Sequence, residues 1–248
     1  MVHTLSGFII IMAIWSLISF SGMVSELILP SPFSVFSSLP KMFQSDNLMQ
    51  NIIYSLYLNI AGYGQAIGLA IPIGFLLGLF PIVRKTFSKY IDAIRYIPLT
   101  ATLGLFIAWF GIEDTMKIQF LSFGIFVYLL PTVVQRIDEV DKVHLDTTYT
   151  LGASKFQQII TVYFPSVLSR VSDDIRVLVA ISWTYLVVAE VINRTGGLGA
   201  LAYLSARQSK IDQVYGVLIV IMIIGLLQDR LLFFIDKIIF PYKKVGKK

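Results

Sequence analysis

Cysteine is absent from the 248 residues, and histidine occurs only twice, at His3 and His144. Without thiols there is no disulfide scaffold, no zinc–thiolate site and no cysteine nucleophile. Two histidines far apart in the chain leave no histidine cluster for a transition metal, and no metal site is expected. Charge is scarce as well: 14% of residues are Asp, Glu, Lys or Arg, against 56% hydrophobic. A soluble domain carries about a quarter charged residues, because water-facing surface has to be solvated. The sequence also lacks a G-x-x-x-x-G-K-[ST] loop, so it cannot cradle ATP phosphates by that device. The formal net charge of +5 reads as basic loops beside anionic lipid rather than as a nucleic-acid footprint.

What is present is a set of long apolar runs separated by clustered charge, the pattern of an all-α polytopic membrane protein. A spanning helix needs about 20 mostly apolar residues, and about six transmembrane helices are expected on that criterion. They fall at roughly 5–24, 52–80, 97–112, 117–134, 175–192 and 214–235. The first run, Leu5 to Val24, has no basic n-region before it and no A-x-A-like site after it. It reads as a retained helix rather than a removed signal peptide. The second is long enough to tilt or to project beyond the bilayer; the third is short. No internal repeat is visible, so a single membrane domain over 1–248 is expected, with its longest polar connection at about 135–174.

Orientation follows from Lys and Arg. One set of connections holds Arg84, Lys85, Lys89 and Arg95, then Arg136, Lys142, Lys155, Arg170 and Arg176, then Arg230, Lys237, Lys243, Lys244, Lys247 and Lys248. The alternate connections hold only Lys41, Lys117, Arg194, Arg207 and Lys210. The positive-inside rule then places both termini in the cytoplasm.

Two segments on the opposite side invite more than a loop reading. In Leu29-Pro30-Ser31-Pro32, Ser31 is placed to cap a short helix with Pro32 at its first position. Phe33, Phe36 and Leu39 at helical spacing would lay that helix along the interface. Residues 193–213 contain Gly196-Gly197-Leu198-Gly199 followed by Leu201, Tyr203 and Leu204. This is either a plain surface loop or a stretch that dips back into the membrane where protein buries it.

Inside the spans, the second helix carries Gly62, Gly64, Gly68, Pro72, Gly74 and Gly78. The pairs Gly64/Gly68 and Gly74/Gly78 have the spacing that lets helices approach closely, here most simply within the bundle. Pro72 is a candidate kink. Glu190 sits near a helix end, where it either snorkels outward, with Arg194 as a partner, or lines a functional path. Trp183, Thr184 and Tyr185 on the same helix are candidate path residues alongside Glu190, with aromatic packing as the alternative. Asp173, Asp174 and Arg176 read as a solvated cap at that helix's start.

The connection at 135–174 contains Asp146-Thr147-Thr148-Tyr149-Thr150-Leu151-Gly152-Ala153-Ser154-Lys155, running on to Val162-Tyr163-Phe164-Pro165. A residue tolerant of left-handed dihedrals lets two short helices meet at a sharp corner, and Gly152 supplies one. Leu151, Ala153, Phe156 and Ile159 then form an apolar set able to seat in a partner's groove, and Pro165 is expected to end the segment. An ordinary glycine turn is the plain alternative.

This stretch resembles the cytoplasmic signature of ABC importer permeases: an acid and two alanines, glycine six positions after the acid, and an aliphatic-x-leucine-proline ending. Asp146, Gly152, Val162, Phe164 and Pro165 take the matching positions, while Thr147 and Thr148 stand where the family has two alanines. Leu29-Pro30-Ser31-Pro32, Trp109-Phe110-Gly111, Val188-Ala189-Glu190, Gly197-Leu198-Gly199 and Asp229-Arg230 extend the resemblance to the nitrate, taurine, sulfonate and bicarbonate subfamily.

The resemblance implies a type I importer permease whose coupling helix docks into an ATPase subunit. Asp146, Leu151, Gly152, Ala153, Ser154, Lys155, Phe156 and Pro165 are its candidate coupling residues. It also implies a second permease copy, two ATPase subunits that hold ATP and magnesium, an external substrate-binding protein and a bacterial inner membrane. The chain itself would bind no cofactor and catalyse no reaction. A stand-alone ion-coupled secondary transporter is the alternative from another class. An intramembrane enzyme is disfavoured, since the apolar spans show no nucleophile–base pair and no paired carboxylates.

Overall fold

In the computed structural model, which describes residues 2–193 and 195–243, the chain is helical and no strand occurs among the described residues. The helices are α1 (Val2–Phe20), α2 (Pro32–Ser45), α3 (Leu48–Leu79), α4 (Pro81–Ile94), α5 (Leu99–Phe110) and α6 (Asp114–Asp138). They continue as α7 (Lys142–Thr150), α8 (Lys155–Gln158), a π turn (Ile159–Tyr163), α9 (Phe164–Asn193), α10 (Leu198–Arg207) and α11 (Ile211–Ile239).

Each expected apolar run falls on a helix, although the first outruns α1 by four residues and the third passes both ends of α5, and the runs are not equal. Among the described residues four helical stretches are long and apolar enough to cross a membrane: α3, α6, α11, and the stretch Lys155–Ile192, which holds α9 but for its last residue. Over Leu5–Phe20, α1 is a shorter apolar helix. The third run is only one arm of a bent pair, α4 and α5, which meet at 93°. Pro98 sits at the N-cap of α5; the residue before a proline is driven out of the helical region, so one straight helix cannot run through.

The fifth run starts earlier than its hydropathy suggests, because polar residues inside α9 are paired with neighbouring helices. Asp173, Asp174 and Arg176 are therefore not a cap. Asp173 lies about 2.5 turns into α9. Asp174 accepts two hydrogen bonds from Arg136 at 2.8 and 2.7 Å, and Arg176 makes a second forked pair with Asp229 at 3.0 and 3.2 Å. Forked guanidinium–carboxylate pairs fix relative orientation as well as distance. Lys117 is likewise no loop residue: it is fully buried in α6, with Nζ 3.8 Å from Asp114.

The chain divides into two compact units, Met1–Tyr57 with Val187–Ile224, and Leu58–Leu186 with Gly225–Lys248. In the first, Ser31 caps α2 by accepting the Ser34 N–H at 3.1 Å, with Pro32 in the opening turn. Phe33 and Phe36 are exposed while Val35, Ser38 and Met42 form the buried stripe of α2. The Trp15 indole N–H donates to the Pro30 carbonyl at 3.0 Å, and its ring stacks on Tyr215. Gly216 leaves room for Ser38 and Leu39 to close on α11.

In the second unit, α3 and α6 approach along a stripe of small residues every four positions: Gly62, Ala66, Ala70, Gly74 and Gly78. Leu121 packs on Gly62, Val133 on Gly74 and Ile137 on Gly78, and Ala66 and Ala70 are fully buried. The other expected pair behaves differently, since Gly64 and Gly68 face open space. The helix runs unbroken through Pro72. A Cβ on Gly74 would lie 2.5 Å from Val133 Cγ1 and 2.7 Å from its Cβ. Gly74→Val is therefore expected to cost about 1–3 kcal/mol through overpacking, whereas Gly64→Ala is neutral or slightly stabilising. Melting curves of the purified variants in one detergent check the contrast; equal melting points would remove the stripe as the determinant of the α3–α6 approach.

Candidate functional site

The α7–α8 corner is built almost entirely from local rules. Asp141 caps α7 by accepting the Val143 N–H at 2.9 Å. At the other end Gly152 takes φ +80°, a left-handed value that costs an L side chain about 1–2 kcal/mol. The Gly152 N–H donates to the Tyr149 carbonyl at 2.9 Å and the Ala153 N–H to Thr148 at 3.0 Å. These are the paired bonds of a Schellman close, which satisfy carbonyls left open by the helix end. Ser154 then starts α8 with a capping box: its hydroxyl accepts the Gln157 N–H at 3.3 Å and the Gln157 side chain accepts the Ser154 N–H at 2.8 Å. A Cβ on Gly152 would meet nothing within 4 Å, so glycine is required there by dihedral and not by space.

The corner carries apolar side chains with nothing packed over them. Leu151 is 81% exposed, Tyr149 77% and Phe156 70%. Of the candidate coupling residues, Asp146, Leu151, Gly152, Ser154, Lys155 and Phe156 are exposed together around the corner, and Ala153 is half-buried. Tyr149 was not singled out by the motif, whose letters ignore it; its position just before the glycine turn was the available signal. The two threonines that replace alanines create no crowding. The Thr147 hydroxyl donates to the Val143 carbonyl at 2.6 Å and that of Thr148 to Leu145 at 2.9 Å, so both hydroxyls are absorbed by their own helix.

Pro165 does not end the segment. Helix continues from Lys155 to Ile192, and the π turn lies immediately before the proline, its Phe164 N–H reaching the Ile159 carbonyl. A proline ring clashes with the carbonyl four residues back in an α-helix, and a widened turn moves that carbonyl away. The Pro165 carbonyl accepts from the Tyr242 hydroxyl at 3.1 Å.

The four candidate path residues separate. The Trp183 indole N–H donates to Gln228 at 3.0 Å, Gln228 donates to Asn59 at 2.9 Å, and Asn59 donates to the Ser182 hydroxyl at 3.0 Å. That closed chain of neutral groups fixes Trp183, only 4% exposed, as part of the packing. Thr184 is exposed and returns its hydroxyl to the Ala180 carbonyl at 3.2 Å. Tyr185 is half-buried, edge-on to Phe120 and close over Gly124.

Glu190 is fully buried and holds the start of α10. The Gly199 N–H donates to its Oε2 at 2.7 Å, and the Ser55 hydroxyl donates to its Oε1 at 2.5 Å. Ser55 in turn accepts the Leu198 N–H at 2.8 Å, while Asn51 accepts the Gly197 N–H at 2.7 Å. Three successive N–H groups at a helix start, which need partners when buried, are thus met by side chains of α3 and α9. Gly197 has φ +102° and a Cβ there would fall on the Glu190 carboxyl, so both its dihedral and its space demand glycine. Residues 198–207 are therefore a helix, with Leu198, Ala200, Leu201 and Ser205 buried. The suggested partner Arg194 lies outside the described residues.

The family of binding-protein-dependent transport system inner membrane components matches residues 70–241, and the chain belongs to that family of ABC importer permeases. The taurine transport system permease protein TauC of Escherichia coli (strain K12) is 29% identical over 225 residues, covering 89% of this chain and 82% of TauC. SsuC of Bacillus subtilis (strain 168), named for aliphatic sulfonates transport, is 28% identical over 89% of this chain and 80% of its own. The nitrate import permease protein NrtB of Synechococcus elongatus is 25% identical over 95% and 88%. Among solved structures, the MetNI methionine ABC transporter in an inward-facing conformation superposes with a TM-score of 0.63 at 16% identity, over 80% of this chain and 98% of its own. An amino acid ABC transporter gives 0.59 at 17% identity, over 83% and 98%. These two establish the shared fold.

Truncating Glu190 strands the Ser55 hydroxyl and the Gly199 N–H in a buried setting. Glu190→Ala should cost about 2–3 kcal/mol and lower the melting point in detergent, while Thr184→Ala, one face away on the same helix, should not. Superimposable melting curves for Glu190→Ala and the parent would show that the carboxyl does not hold α10.

Proposed function

We propose that this chain is the transmembrane subunit of an ATP-driven importer that translocates a small anionic, sulfonate-like solute delivered by an external binding protein. The observation that carries the reading is the α7–α8 corner. It is a turn closed by hydrogen bonds, its sequence resembles the family's coupling-helix signature, and it presents Tyr149, Leu151 and Phe156 bare to solvent. Apolar and aromatic anchors on a preorganised turn are what a partner's groove can take up at low entropic cost.

On this reading the corner seats in an ATPase subunit, with Asp146, Gly152, Ala153, Ser154, Lys155 and Pro165 shaping it and Leu151 and Phe156 supplying the buried contacts. ATP and magnesium bind the ATPase subunits, which carry out the hydrolysis. Two copies of the permease, as a single membrane domain each, pair with two ATPases. On this reading the corner and both termini lie in the cytoplasm, which the excess of Lys and Arg beside α4, α7 and the C-terminal end supports. Support for the solute class comes from the relatives named for taurine, aliphatic sulfonates and nitrate, all small and all bearing oxyanion groups.

Two measurements test this. Affinity purification of the tagged chain from its native membrane should bring down a subunit whose peptides include a G-x-x-x-x-G-K-[ST] loop. Leu151→Glu with Phe156→Glu should deplete that subunit by about tenfold or more, as expected for losing interface anchors. In proteoliposomes holding the whole transporter and its binding protein, taurine uptake should require ATP inside and persist when ion gradients are collapsed. Uptake driven by a gradient without ATP would instead establish a stand-alone secondary transporter.

A further inference from the structure

A groove of about 300 Å³ opens between α3, α5 and α6, and Phe106, Trp109, Phe110, Gln65 and Gln119 are among the residues that line it. Gln65 Nε2 donates to Gln119 Oε1 at 2.7 Å and Gln119 Nε2 returns a bond to Gln65 Oε1 at 3.2 Å. Each primary amide has two N–H donors. The reciprocal pair uses one from each, so each glutamine keeps a second N–H at a groove that both residues line. Gln65 is near the middle of α3 and Gln119 lies in the second turn of α6, both half-buried. None of the groove's lining residues is charged.

We propose that this groove is a station for the solute during passage, at which the amides of Gln65 and Gln119 donate to the oxyanion head while the aromatic wall holds the rest. This rests on the importer reading above and names a site for it. Neutral donors replace part of the anion's hydration shell yet let go, as a conducting site must. Aromatic edges carry the positive end of the ring quadrupole, so the Phe106, Trp109 and Phe110 cluster does not oppose an anion as a carboxylate would. The groove's size suits a solute of a few heavy atoms. An interhelical clamp alone would need one hydrogen bond, and would not require a cavity in front of the pair.

The test uses the complete transporter with its binding protein in proteoliposomes and radiolabelled taurine as probe. Gln119→Glu keeps side-chain length and still accepts the Gln65 Nε2 bond, so the shorter of the clamp's two bonds survives, but it places a carboxyl at the oxyanion position. The station predicts that uptake by Gln119→Glu falls about tenfold or more, as for like charges brought together. The loss of uptake should exceed any accompanying fall in melting point, which is measured on the same preparation. Gln65→Leu with Gln119→Leu should also lower uptake and raise the apparent KM for transport. Parental uptake by Gln119→Glu overturns the station and leaves a structural clamp, as does loss of uptake that merely tracks a lowered melting point. If the parent transporter itself imports neither taurine, ethanesulfonate nor nitrate, the solute class assigned above fails first, and the station falls with it.

Discussion

A backbone that leaves regular helix in an apolar surrounding must still pair its N–H and C=O groups, and this requirement shapes each break in the chain. The start of α10 is the clearest instance. Its Gly197, Leu198 and Gly199 N–H groups are answered by Asn51, Ser55 and Glu190, three side chains that helices alone would not explain. A buried carboxyl without such donors would be expensive; here it is a fixture that substitutes for the missing turn of helix. The α7–α8 corner meets the same requirement by a Schellman close and a capping box, and the stretch before Pro165 meets it with a π turn. The difference lies in where the partners come from. The corner satisfies itself and keeps its surface free, whereas α10 draws on α3 and α9 and is tied down.

Between the breaks, helices in lipid gain little from hydrophobic burial against one another, and close approach depends on small residues and polar contacts. The α3–α6 seam uses the first, with Gly62, Ala66, Ala70, Gly74 and Gly78 in one row. The Asn59–Ser182–Gln228–Trp183 chain uses the second. Charged pairs add to both: Arg136–Asp174 joins α9 to α6 and Arg176–Asp229 joins α9 to α11, each through a forked contact made from inside α9.

Much of this was legible in the sequence, and the failures share a cause. Apolar runs announced every spanning helix, Ser31-Pro32 announced a capped α2, and Gly152 announced a left-handed corner, because each is set by residues within a few positions. Pairing across helices was not legible. Asp173, Asp174 and Arg176 looked like a cap because a sequence does not show Arg136 or Asp229 arriving beside them. Lys117 looked like a loop cation for the same reason. Of the two glycine pairs with identical spacing, only Gly74/Gly78 faces α6; what separates them is the rotation of α3, which periodicity fixes only once Ala66 and Ala70 are counted as part of the row. Pro165 misled because a proline's cost in a helix depends on the turn before it, and Ile159–Tyr163 could widen.

The proposed coupling also sets a mechanical requirement. A push received at Leu151 and Phe156 is useful only if it is not dissipated in a loop. From Lys155 onward there is no loop: helix runs unbroken for 38 residues to Ile192, about 57 Å at 1.5 Å per residue. The π turn is the one soft place along it, and Pro165 stiffens the residue just beyond. The Schellman close and capping box stiffen the other side of the corner, where Gly152 would otherwise be the most flexible residue of the segment. Glycine there supplies a dihedral rather than freedom, since its neighbours' hydrogen bonds hold it at one value. The corner is thus closed by hydrogen bonds on both sides of Gly152 and is continuous with α9, which is the arrangement that the proposed coupling calls for.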